Sequence, residues 1–237
     1  MSKSGQRRHF EKKKNRYDER LLSMPPRHVA EETEYIVNEL RRRKIKKVVD
    51  FGSGNGRLTI PLLREGITVT AVDISRSSLT SLSEYVKSVR MKKNLLTVSE
   101  TIPSKKWDAV VGCDILHHVL LGETLAEIRS HLTDKKGMIV FSEPNIFNPS
   151  WAVFVTLFHS WRIEGGMVNC HYFNFQHKLQ ENRFDIVTVH GYGLLPPIFF
   201  NTFPILRKIN YFLGNLPVLK FFAYRFIITA QAAGTIH

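Results

Sequence analysis

The stretch VVDFGSGNGRLTI, residues 48–60, sets three glycines, Gly52, Gly54 and Gly56, within five positions directly behind an apolar run. Glycine allows positive φ and lets a ligand lie against the backbone. A helix opening after such a loop offers unpaired N–H groups. In a doubly wound sheet this crevice, at the carboxyl ends of the strands, is where ligands bind. The pattern therefore implies a nucleotide-like ligand. Two familiar loops are excluded. The dinucleotide fingerprint needs glycine at position 57, which is Arg57, and the phosphate-loop G-K-[ST] is absent. Asp50 stands two residues before the first glycine, and Asp73 closes the next apolar run. A carboxylate at that second place can accept both hydroxyls of a ribose. A second constellation, His117–His118, follows the apolar run DAVVGC. Histidine titrates near neutral pH and suits general-base work. Neighbours on a helix point about 100° apart, so one of the two faces the site; His117 is the first candidate and His118 the second. His159 and His171 are weaker candidates.

These residues need elements to hold them. The chain alternates short apolar runs with helical stretches: a helix over 28–43 with Val29, Ile36, Val37 and Leu40 on one face, a strand over 46–51, a helix over 56–65, a strand over 68–74 and a helix over 76–91. Strands over 95–99 and 108–113, a helix over 123–132 and a strand over 137–143 follow. Such alternation implies a parallel sheet covered by helices on both faces. The pattern breaks over 144–173, which reads as aromatic and irregular. A helix over 174–182, a strand over 184–192, an apolar segment over 193–222 and a last, antiparallel strand over 224–232 complete the reading. The fold class is α/β, a Rossmann-like doubly wound sheet. Residues 1–27 form a basic arm, and 28–237 a single domain with an aromatic insert at about 145–173.

The order and spacing of these pieces resemble the class I S-adenosylmethionine-dependent methyltransferases, from about residue 28 to 145. VVDFGSGNGRLTIPL is similar to their glycine motif, VTAVDIS to their acidic ribose motif, and WDAVVGCDILHHV to their fourth-strand motif. LAEIRSHLTDKKGMIVFSEPN resembles the helix and fifth strand that follow. The later EPN…NP and GYGLLPP runs look like members that methylate small or lipid-like molecules. The resemblance implies S-adenosylmethionine as methyl donor and S-adenosylhomocysteine as product, with no metal. It implies that Gly52, Ser53, Gly54 and Gly56 line the methionine portion. Asp50 would orient the loop and the ammonium, Asp73 bind the ribose, and Ile74 lie against adenine. Glu100 stands near the usual place of an acid that reaches the adenine amino group. Gly112 and Cys113 would touch the amino-acid end, and Tyr17 resembles an aromatic that covers the cofactor in some relatives. Trp151, Phe154, Phe158, His159 and His171 in the insert would form an apolar acceptor pocket with polar handles.

Composition sets the outer bounds. The 237 residues are 43% hydrophobic and 23% charged, an ordinary globular mix. Cys113 and Cys170 make no metal or disulfide pattern, and a reducing, cytoplasmic setting is the expectation. No secretory leader and no spanning segment is read. The formal net charge of +13 raises nucleic acid, anionic membrane or acidic substrate as partners. Much of it sits in KSGQRRHFEKKKNR and in RRRKIKK, which also read as solvated charge. Three functions stand: methylation of an apolar small molecule at O, N or C; nucleic-acid methylation through the basic arm; and a cofactor-fold binding subunit without catalysis. The fourth strand ends GCDILHH, without the Asn/Asp-Pro-Pro-aromatic run of base-amine methylation, which puts nucleic acid second. The 193–222 segment carries Arg207, Lys208 and Lys220 among apolar residues and admits peripheral contact with a membrane surface.

Overall fold

A computed structural model describes residues 19–133 and 137–234. It divides into two compact units, Met1–Cys113 and Asp114–His237. Tyr17 and most of the basic arm lie outside the described residues. Among the described residues the four strands of the first unit pair in parallel and the three of the second pair antiparallel, and helices separate most of them.

The first unit opens with α1 (Glu19–Ser23) and α2 (Arg27–Arg42). Helix α2 buries Val29, Ile36, Val37 and Leu40, the face its apolar spacing demands. Strands β1 (Lys47–Phe51), β2 (Thr68–Val72), β3 (Leu96–Ser99) and β4 (Ala109–Cys113) form a parallel array in the order β3-β2-β1-β4. Val49 pairs with Thr70 on one side and Val110 on the other, so β1 is flanked by both partners at mid-length. Helices α3 (Thr59–Arg64) and α4 (Arg76–Ser88) follow β1 and β2. Helix α4 starts where the Ser75 side chain accepts from the Ser78 N–H. Helix α3 begins at Thr59, not at 56, because Gly56 at φ +103° is outside helical space.

The second unit holds α5 (Leu121–His131), β5 (Met138–Pro144), β6 (Phe184–Tyr192) and β7 (Arg225–Ala232). Strand β7 lies between β5 and β6, antiparallel to both, as the last strand was expected to run. Every residue of β5 is buried. The region expected to be irregular is largely helical: α6 (Pro149–Phe158) and α7 (Trp161–Glu164). Asn148 and Ser160 cap their first turns. Helix α8 (Tyr172–Glu181) starts two residues earlier than expected because the His171 ring accepts from Asn174 N. The 193–222 segment contains α9 (Pro204–Gly214), flanked by 3-10 turns at Pro197–Phe200 and Leu219–Phe222.

Candidate active site

In the first unit the glycine loop hangs between β1 and α3 on specific bonds. Gly52 N and Ser53 N both donate to Val72 O, at 2.8 and 3.0 Å. Gly52, Gly54 and Gly56 all have positive φ. Two of them do different work. A Cβ on Gly56 would meet Leu82 Cδ1 at 2.5 Å, so this glycine permits packing of the loop on α4. A Cβ on Gly54 would meet nothing within 4 Å, so this glycine faces open space, as a ligand cradle requires. Ser53 Oγ is buried without a hydrogen-bond partner, a polar atom that a bound ligand would satisfy.

Asp73 locks the same loop. Its Oδ2 accepts from Gly54 N and its Oδ1 from Ser75 N, each at 2.8 Å. Each carboxylate oxygen has two lone-pair sites, so these bonds fix the group without exhausting it. Asp50, wholly buried, accepts from Thr59 Oγ1 at 2.5 Å. Burial pushes its carboxyl up to about 7, and the nearby Asp73 charge adds to the rise against the Thr59 bond. A cation beside it would reverse that. Arg57, at the position of the missing glycine, pairs with the buried Glu32 of α2 and ties the loop to that helix. Ile74 presents an exposed apolar side chain beside Asp73. Glu100 pairs with Arg76 at the surface. Gly112 is buried and Cys113 half-buried at the end of β4.

In the second unit the two histidines belong to a carboxylate network. Glu143, fully buried in β5, accepts Ile115 N and Leu116 N on Oε1 at 3.0 and 2.9 Å. Its Oε2 lies 2.7 Å from His117 Nδ1. On the ring's other side, His117 Nε2 is 3.3 Å from Glu164 Oε2. His118 Nε2 and His159 Nδ1 stand 3.9 and 3.4 Å from the same carboxylate. Burial lowers the His117 pKa, but the bonds to Glu143 and Glu164 outweigh it and raise it to about 9. His118 moves the opposite way, to about 4, through burial and the His117 charge. Burial raises the Glu164 carboxyl, but its histidine partners hold it down at about 2. At neutral pH His117 is therefore an imidazolium clamped by two carboxylates, while His118 is neutral. His117, His118 and Glu164 also offer three donor atoms within 4.8 Å of one another, a set with metal-ligand spacing among the described residues. The clamp satisfies His117 without an ion.

Gly166 stands against the same turn; a Cβ there would lie 1.7 Å from His117 O. Asp114, after β4, adopts φ +57°, and its Oδ1 lies 2.7 Å from Arg225 Nη2. Sequence reading missed Glu143, Glu164, Asp114 and Gly166. A lone acid inside the apolar run MIVFSE is a usable signal for Glu143; the others carry none. The aromatic candidates separate. Trp151 Nε1 donates to Tyr224 O at 2.5 Å and its ring stacks on Tyr224 at 4.6 Å, so Trp151 anchors α6 to the start of β7. Phe154 touches Trp151, Phe158 and His159. Phe158 is exposed. His171 caps α8 and lies against Phe147.

Residues 49–139 match a family model described as a methyltransferase domain. A ubiquinone biosynthesis O-methyltransferase of Rickettsia akari (strain Hartford) is 28% identical over 128 residues, 51% of this chain and 51% of that protein. The chain thus spans about half the length of the curated relative it matches there. Magnesium protoporphyrin IX methyltransferase from Synechocystis PCC 6803, solved with bound SAH, is 17% identical with a TM-score of 0.66, covering 98% of this chain and 100% of that one. Geranyl diphosphate C-methyltransferase from Streptomyces coelicolor A3(2) is 14% identical with a TM-score of 0.61, covering 97% of each. These structural likenesses carry the Rossmann-like fold over nearly the whole chain.

Proposed function

We propose that the chain is a class I S-adenosylmethionine-dependent methyltransferase acting on an apolar small molecule, a reading supported by the methyltransferase-domain match over residues 49–139. Gly54 carries the reading: positive φ, its N–H on Asp73, and open space where a side chain would be. Ser53 and Asp73 supply polar partners for a bound nucleoside, and Asp50 would face its ammonium. The donor supplies a sulfonium methyl, already a strong electrophile. The chain's part is to align the acceptor, a contribution of about 7–11 kcal/mol in well-oriented systems, and to hold or move a proton.

The names of the sequence relatives favour an oxygen acceptor, and those of the structural neighbours favour a large apolar one. For a hydroxyl, His118 is the histidine able to accept a proton because it is neutral at pH 7, whereas His117 already holds one. We assign His117 to positioning and His118 to the acceptor proton. Phe154, Phe158 and His159 form one cluster of rings suited to an apolar acceptor.

Calorimetry with S-adenosylhomocysteine tests the donor site. The wild-type chain should bind it, and Gly54→Val should lose binding while its melting temperature drops by several degrees without loss of folding. The valine fills open space, and positive φ costs it about 1–2 kcal/mol. Asp73→Ala should also weaken binding, by about 1.5–3 kcal/mol for a charged bond. No heat with S-adenosylhomocysteine but tight binding of a nicotinamide dinucleotide would sink the proposal.

A further inference from the structure

Helix α9 is built inside out. Two of its polar residues point inward: Arg207 and Asn210 are each 4% exposed. Both are satisfied there. Arg207 Nη1 donates to Phe200 O and Asn201 O at 3.3 and 3.2 Å. Asn210 Oδ1 accepts from Leu194 N and Leu195 N at 2.9 and 2.8 Å, and its Nδ2 donates to Leu195 O at 2.9 Å. The apolar residues point outward, with Ile205 at 74%, Ile209 at 49% and Phe212 at 66% exposure, at i, i+4 and i+7. The flanking segments expose Phe199 and Val218 as well, 71% and 70% exposed. A contiguous face of this kind marks an interaction site.

The helix cannot roll over to hide it. A Cβ on Gly191 of β6 would lie 1.8 Å from Gly214 O, so backbone meets backbone at the end of α9. Charge identifies the occupant. No aspartate or glutamate follows Asp185, whereas Lys208 is exposed on α9 and Lys220 lies in the turn beyond it. An apolar face in a segment that carries cations and no acids complements an anionic bilayer surface. No helix among the described residues is long and apolar enough to cross a membrane. An 11-residue helix can lie in the plane of the interface.

We propose that the outward face of α9 and its flanking turns docks this protein on an anionic phospholipid bilayer. The contact would be peripheral and is independent of the methyl-transfer reading, because cofactor affinity is measured without lipid. The test is flotation of the full chain with phosphatidylcholine vesicles, with and without phosphatidylglycerol. Wild type should float with the anionic vesicles, more weakly with the neutral ones. The double variant Ile209→Ser, Phe212→Ser should lower the partition coefficient about tenfold or more, since each change removes buried apolar area. Lys208→Glu should lower binding only to the anionic vesicles. Unchanged circular dichroism and S-adenosylhomocysteine affinity show that the variants fold; Phe199→Ser, on the neighbouring turn, provides a second variant with the same expectation. Wild type that stays unbound with both vesicles overturns the proposal. So does a dimer on a sizing column that the double-serine variant converts to monomer without any vesicle binding, because a second copy would then cover the face.

Discussion

His117 shows how two residue-level effects compete. Burial alone would keep the ring neutral, but two carboxylates at 2.7 and 3.3 Å hold the charge in place. Its pKa of about 9 lies above the ordinary value of 6.5. The linked stability is therefore fully present below pH 6.5 and lost as pH rises toward 9. The shift corresponds to about 3 kcal/mol. Wild-type melting temperature should accordingly fall between pH 6.5 and 9. In His117→Gln it should be lower at pH 6.5 and fall less across that window, because the amide cannot titrate and the buried Glu143 and half-buried Glu164 lose their cation. Thermal denaturation followed by circular dichroism across pH reads both. An equal slope in wild type and variant would show that another group titrates. The sequence singled out this histidine by type and position but could not show its charge. Glu143 and Glu164 lie far along the chain, and only folding sets them on opposite sides of one ring.

At the scale of elements, the sequence was most legible where apolar runs of strand length alternate with helices. There the pattern and the buried faces agree, as for Val48 and Val49 in β1. It was least legible in the aromatic insert. Helix α6 has apolar residues around most of its circumference, so no 3.6-residue stripe stands out. Its boundary signal was nonetheless present, in Asn148 before Pro149. Nor could periodicity tell which face of α9 points inward. Asn148 links these two poorly read segments. Its Oδ1 caps α6 at Ser150 N, and its Nδ2 donates to Leu194 O at 2.7 Å and Phe222 O at 2.8 Å. Asn148→Ala removes a buried cap and leaves two carbonyls short of a donor. The expected loss is about 2–4 kcal/mol in urea denaturation, with S-adenosylhomocysteine affinity retained because the glycine loop is untouched. A loss below about 0.5 kcal/mol, the range of ordinary surface changes, would show that the segments are joined by other contacts.

Across the whole molecule, a charge of +13 by itself suits a nucleic-acid partner, and the choice between that and an apolar acceptor rests on where the charge sits. The N-terminal segment supplies a dense share of it, with Lys3, Arg7, Arg8, Lys12, Lys13 and Lys14 ahead of Tyr17. The cofactor loop, by contrast, is bonded through Val72, Asp73 and Arg57, none of which belongs to that segment. The two functions are therefore separable by deletion. A chain lacking residues 2–14 keeps Tyr17 and every residue of the loop. Non-specific RNA binding should weaken, and its dependence on salt should flatten, because fewer phosphate contacts release fewer counterions. Transfer of radiolabelled methyl from the donor into the organic-extractable pool of a cell extract should continue at a similar rate, since positioning of an apolar acceptor owes little to long-range charge. Label that appears only in RNA with the full chain and disappears with the deletion would overturn the small-molecule reading and make the basic segment the substrate-binding element.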